Sequence, residues 1–131
     1  MYTWLFLSQL FQYMNNNKAT GNKGEEIAAG YLVKAGYTLL ARNWRFRHWE
    51  VDIIALKGNF LHFIEVKTRA SLRFGRPEES ITRDKMKNLK NAAEEYQYQH
   101  PEYKYIQFDV LAITLVNEEV KEIFMIEDVY F

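Results

Sequence analysis

Two short runs set acidic side chains inside apolar, strand-like sequence: Glu50-Val51-Asp52-Ile53-Ile54-Ala55 and Phe63-Ile64-Glu65-Val66-Lys67. Side chains alternate along an extended chain, so Glu65 and Lys67 share one face while Ile64 and Val66 take the other. Between the runs, Gly58-Asn59 has the signature of a two-residue hairpin turn. Pairing residue 57 with residue 60 and counting outward sets Asp52 directly opposite Glu65. Two carboxylates so placed repel unless a cation joins them. A hard divalent ion takes oxygen ligands and keeps several waters, so the pair suits Mg2+, or equally Mn2+, together with a substrate phosphate. Lys67 would then orient a water or neutralise charge building on a scissile phosphate. The plain alternative is a cross-strand ion pair on an exposed sheet face, worth about 0.2–1 kcal/mol. Ile53, Ile54, Phe63 and Ile64 speak against it, because they indicate a sheet covered on both faces, where an uncompensated carboxylate is costly.

The elements that position these residues follow from periodicity and punctuation. Asn22 with Glu25 three residues on makes a capping-box start, and Ile27, Ala28, Tyr31, Leu32 and Ala35 recur at helical spacing up to Gly36. Glu25 runs in register with Ala28 and Leu32, so two roles stay open for it: a local cap, or a further carboxylate looking toward the acidic pair. Strands are expected over 37–44, 50–57 and 60–67, then a polar loop with Gly75 and Pro77. A second helix over 82–99 carries the stripe Met86, Leu89, Ala93, Tyr96, and His100-Pro101 closes it. Strands over 105–116 and 120–126 complete the order αβββαββ.

Composition narrows the classes. The 131 residues, 48% apolar and 16% aromatic, make one packed domain. The lack of cysteine removes disulfide scaffolds, thiolate metal sites and thiol nucleophiles, and suggests a reducing, cytoplasmic setting. No run approaches the roughly 20 apolar residues of a spanning helix. His48, His62 and His100 lack metal-ligand spacing and receive no catalytic role. The 17 basic and 17 acidic residues balance overall but not locally. Arg69, Arg73, Arg76, Arg83, Lys85, Lys87 and Lys90 follow Lys67 closely, and as a cluster they suit contact with nucleic-acid phosphates. Individually each is an ordinary surface cation. Phe74 is a candidate loop wedge or a packing residue, Asp109 is expected to pair with Arg42 or Arg45, and the tryptophans are read as packing. Residues 1–17 form an apolar extension, with translation expected to begin naturally at Met14, ahead of a single domain over 18–131. A membrane anchor in that extension is the rival idea, weakened by the absence of Lys or Arg before Lys18.

Five ordered motifs, Gly21-x-x-Gly24-Glu25-x-x-Ala28, Ala41-Arg42-Asn43, Glu50-x-Asp52-Ile53-Ile54-Ala55, Phe63-x-Glu65-Val66-Lys67-x-Arg69 and Phe108-Asp109-Val110, resemble the YraN-like family of predicted endonucleases. The resemblance covers roughly residues 20–128. It implies a restriction-endonuclease-like α/β fold, a central mixed sheet flanked by helices, of the PD-(D/E)xK type found in relatives of the Holliday-junction resolvases. It implies Asp52 and Glu65 as metal ligands, Lys67 as catalytic lysine and Glu25 as the helix-borne acid; Lys85 also matches a family position, and its register with Leu89 and Ala92 lets it approach the site. Trp49 stands where the family usually has Gly, and Gln107 where it often has Arg. The function expected is Mg2+-dependent hydrolysis of DNA, in branched or otherwise structured form, without a small-molecule cofactor or a membrane and with a homodimer as one possible state. A non-catalytic interaction module that keeps the fold is the competing class.

Overall fold

Gly58 takes φ +61° in the turn that folds β2 (Trp49–Lys57) back onto β3 (Phe60–Arg69), and the antiparallel pairs run from Lys57↔Phe60 to Ile53↔Ile64. The chain is described by a computed structural model over residues 23–70 and 82–129. β1 (Thr38–Phe46) precedes this hairpin and pairs with β2 antiparallel, with a bulge between Leu39 and Ala41. Ahead of β1, α1 (Lys23–Lys34) has Glu25 and Glu26 in its first turn, where the helix dipole favours negative charge. Gly36, at φ +94°, ends it: the Tyr37 N–H reaches the Leu32 carbonyl at 2.9 Å and the Gly36 N–H reaches Val33 at 3.1 Å. That is the Schellman arrangement, and it needs the left-handed residue that glycine supplies most cheaply.

A second helix, α2 (Arg83–Gln99), starts at Thr82, whose hydroxyl accepts the Lys85 N–H at 3.1 Å. It is the crossover that lets β4 (Tyr105–Val116) run parallel to β3, with Ile64 beside Asp109 and Glu65 beside Val110. β5 (Glu119–Ile126) then returns antiparallel. The five strands stand in the order β1-β2-β3-β4-β5. This mixed sheet with the order αβββαββ is the arrangement expected of a restriction-endonuclease-like α/β fold.

Each face of the sheet is covered, as the apolar runs required. Ile27, Ala28 and Leu32 of α1 pack on Ile53, Ala55, Ile64, Leu111 and Ile113. On the other side, Met86, Leu89, Ala93 and Tyr96 of α2 pack on Val51, Ile54, Phe63 and Val110. β1 extends to Phe46, beyond the expected residue 44, because Arg45↔Glu50 and Phe46↔Trp49 continue the hairpin to a turn at residues 47–48. The polar residues of that tip masked its strand character in the sequence. Among the described residues no helix is long and apolar enough to cross a membrane. The extension over 1–17, the Asn22 half of the capping box, Phe74, Arg73 and Arg76 lie outside the described residues.

Candidate active site

The antiparallel pairing of β2 and β3 stops one pair short of Asp52 and Glu65. There the Asp52 carboxylate takes over from the backbone ladder, its Oδ2 accepting the Val66 N–H at 2.8 Å. The hairpin register expected from Gly58-Asn59 is therefore kept, and the strand pair opens where the two acids sit. Glu65 is only 5% exposed, on the face covered by α2. Lys67, two residues on and on the same side, places its Nζ 3.6 Å from Glu65 Oε1. A third element contributes Lys85, from the first turn of α2, whose Nζ ion-pairs with the same Glu65 oxygen. The Thr82 cap fixes that first turn and so aims Lys85 inward.

Glu25 arrives from the opposite layer. Its helix lies close on β3 because Gly24 is buried against Thr68, and a Cβ at position 24 would collide with the Thr68 hydroxyl. Glu25 Oε2 is buried and has no hydrogen-bond partner among the described residues. Its charge is felt at Asp52.

The electrostatics follow from this crowding. Burial, then the neighbouring Glu65 charge, push the Asp52 carboxyl up to about 7, with Glu25 adding to the effect; the Val66 N–H and Lys85 only partly offset it. Burial and the adjacent Lys85 lower Lys67 from the ordinary ammonium range, against the pull of Glu65. Burial also opposes the charge on Lys85, but contacts with Glu65 and Lys67 outweigh it, so Lys85 is raised. The site thus holds one carboxyl reluctant to ionise, one carboxylate between two lysines, and one lysine inclined to lose its proton.

Asp52, Glu65 and Lys67 stand beside one another, and Glu25 is near enough for its charge to reach Asp52. Lys85, counted among the phosphate contacts but in register with Leu89 and Ala92 to approach the site, is bound into the acidic cluster. Arg83, Lys87 and Lys90, together with the buried Met86, line a pocket of about 480 Å3. Arg69 ends β3, partly exposed. Among the described residues no group of three or more Asp, Glu, His or Cys side chains surrounds a single point. Any cation held between Asp52 and Glu65 would therefore complete its shell with carbonyl, water or phosphate oxygen.

One expectation is corrected. Asp109 pairs with neither Arg42 nor Arg45: β1 lies three strands away from β4, which carries Asp109, and Arg42 binds Glu26 at 2.9 Å while Arg45 meets Glu50 at 3.3 Å. His62 Nδ1–H donates to Asp109 Oδ2 at 2.5 Å, and Oδ1 accepts from Gln107 Nε2 and the Asp128 N–H, each at 2.9 Å. His62 and Asp109 are both buried. The signal was present as two isolated polar residues in apolar strands, but only the parallel register of β3 and β4, which sets His62 beside Gln107, brings them together.

Comparison with known proteins places the chain among relatives of similar length. A family model described as "Uncharacterised protein family UPF0102" matches residues 24–113. A UPF0102 protein of Chloroherpeton thalassium is 42% identical over 125 residues, covering 89% of this chain and 97% of the relative. One from Caldicellulosiruptor saccharolyticus is 44% identical over 117 residues, covering 88% of this chain and 99% of the relative. Another, from Rhodococcus opacus, is 38% identical over 118 residues and matches over its whole length.

Proposed function

Because the chain belongs to the uncharacterised protein family UPF0102, whose printed names assign no activity, its chemistry must be argued from the site, and we propose that it is a metal-dependent DNA endonuclease. The observation that carries this reading is the opposition of Asp52 and Glu65 at the point where β2 and β3 part, with Lys67 beside them. A buried carboxyl held near 7 and a buried carboxylate oxygen without a partner among the described residues are what a cation site looks like when its charge is uncompensated. The donors are hard oxygens, which fit Mg2+ or Mn2+. Asp52 and Glu65 would hold the ion, which when bound polarises the phosphate and supplies an acidified water.

The chain's own groups do the rest. Val66 N–H fixes the Asp52 carboxylate in one orientation. Lys67, close to Glu65 and lowered by burial, positions a water or moves a proton at its Nζ. Lys85 pairs with Glu65 and offers a positive charge to a phosphate oxygen. Glu25 adds an acceptor from the far layer, suited to orienting an attacking water.

A cleavage assay tests this on labelled duplex, single-stranded, flap and four-way-junction DNA, with and without Mg2+ or Mn2+. Wild type should cut only with the ion, and Asp52→Ala and Lys67→Ala, verified as folded by circular dichroism, should each lose at least about a hundredfold in rate. Well-folded wild type that binds DNA but cuts none of these would favour a non-catalytic module.

A further inference from the structure

The tip of the β1–β2 hairpin carries a feature that the acidic cluster does not use. Trp44 and Phe46 stack with centroids 6.4 Å apart and planes 13° apart, and Phe46 continues to Trp49 at 6.0 Å and 29°. Arg47 sets its guanidinium 5.4 Å from the Phe46 ring centre, and His48 lies 5.5 Å from Trp49. All three large rings remain partly exposed, while Arg45, Arg47 and His48 at the tip are exposed. Trp44 and Trp49 also rest on the core beneath α2, so the row is anchored at its base.

Its position gives it a use. β2 runs from Trp49 toward Asp52, three residues or about 10 Å at the ordinary strand rise. The antiparallel register puts the same tip at the Lys67 and Arg69 end of β3. Trp44, Trp49, Glu65 and Lys67 all lie on the α2 side of the sheet. A row of near-parallel rings flanked by arginines is what unpaired bases need, because every base has a face to stack and every nucleotide carries a phosphate. A fully paired duplex offers no such face except at its ends.

We propose that the Trp44-Phe46-Trp49 row, with Arg45 and Arg47, is a stacking platform for unpaired nucleotides of a DNA strand that leads into the acidic site. This rests on the nuclease reading for the fate of the strand, but not for its binding. The platform selects DNA in which bases are already unstacked, such as a single-stranded arm beside a duplex, and sets the phosphodiester bond about three residues of strand away from the stacked bases.

The test is binding with divalent cations chelated, so that no cutting enters. Short fluorescent oligothymidylate and a blunt duplex of equal length are titrated with protein, read by anisotropy and by tryptophan quenching. Wild type should prefer the single strand. Phe46→Ala and Trp49→Ala should weaken single-strand binding by about tenfold or more, with little change for the duplex. Trp49→Phe, which keeps a ring on the hairpin, should retain most of the affinity. Arg47→Gln, at an exposed turn position that does not threaten folding, should lose several-fold. Single-strand binding unchanged in Arg47→Gln and in every folded ring variant overturns the platform, even where wild type cuts DNA with Mg2+. Platform-dependent binding by a wild type that never cuts supports the platform and removes the nuclease reading instead. If sedimentation shows a dimer that Phe46→Ala dissociates while DNA affinity stays the same, the row belongs to a second copy and the proposal fails.

Discussion

Asp52 ionises under two opposing influences: burial and the Glu65 charge resist it, and the Val66 N–H with Lys85 assists it. Because the result lies near 7, the folded chain keeps a proton that the unfolded chain gives up from about pH 4. The stability this group contributes is therefore complete below about pH 4 and is lost as pH rises to about 7, by an amount on the order of 1–4 kcal/mol. Chemical denaturation between pH 4 and pH 8 should show that decline in wild type and a flatter profile in Asp52→Asn, whose amide oxygen can still accept the Val66 N–H. At pH 8 the Asn variant should be the more stable of the two in the absence of metal, and Mg2+ should narrow the gap by stabilising wild type alone. Equal profiles would mean that Asp52 ionises freely and that the acidic pair is not crowded.

At the scale of elements, His62 and Asp109 tie β3 to β4 and hold the segment after β5 through the Asp128 N–H. Asp109→Ala would leave a buried histidine, Gln107 and that N–H without their acceptor, a loss expected to reach about 2–5 kcal/mol in urea denaturation. Asp109→Asn, able to accept but uncharged, should lose less. A loss under about 1 kcal/mol for the alanine variant would show that water replaces the carboxylate without cost. The same two strands mark where sequence reading succeeds and stops. The hairpin from Gly58-Asn59 was legible because a two-residue turn fixes its own register, and Asp52 and Glu65 came with it. The stripe of α2 and the sharing of a face by Glu65 and Lys67 follow from local periodicity as well. The inward register of Lys85 was legible too, but the His62–Asp109 bond and the choice of Glu65 as the partner of Lys85 depend on a parallel crossover and on a helix docking across the sheet. Those are set by packing between distant segments, which no local spacing encodes. The row from Trp44 to Trp49 looked like ordinary packing for the same reason: only the observed length of β1 shows that the rings form one line.

For the whole molecule, a net charge of zero conceals a division. Arg83, Lys87 and Lys90 gather round one pocket beside α2, whereas Glu119 and Glu122 lie on β5 at the far edge of the sheet from β1, with Glu118 in the turn before it, Lys121 and Lys23 offsetting two of those acids. A polyanion is steered toward the α2 and β1 side and away from β5. Arg83→Gln with Lys87→Gln should weaken DNA binding alike for all sequences and reduce the slope of log affinity against log salt by about 1 per lost phosphate contact. An unchanged slope would make these residues plain solvated surface. The order of the strands has one more consequence, in time. β1, β2 and β3 bring Asp52, Glu65 and Lys67 off the ribosome first, yet β3 remains a bare edge of nine- to ten-residue strands until β4, some forty residues later in the chain, lies down beside it. Lys85 comes between, on a helix that has its full bed only once Phe108 and Val110 are present. A nascent chain thus carries the acids before it carries the scaffold that aligns them. The acids stay unaligned until β4 lies down, and the interval before it arrives is when this protein is most exposed to sticking to its neighbours.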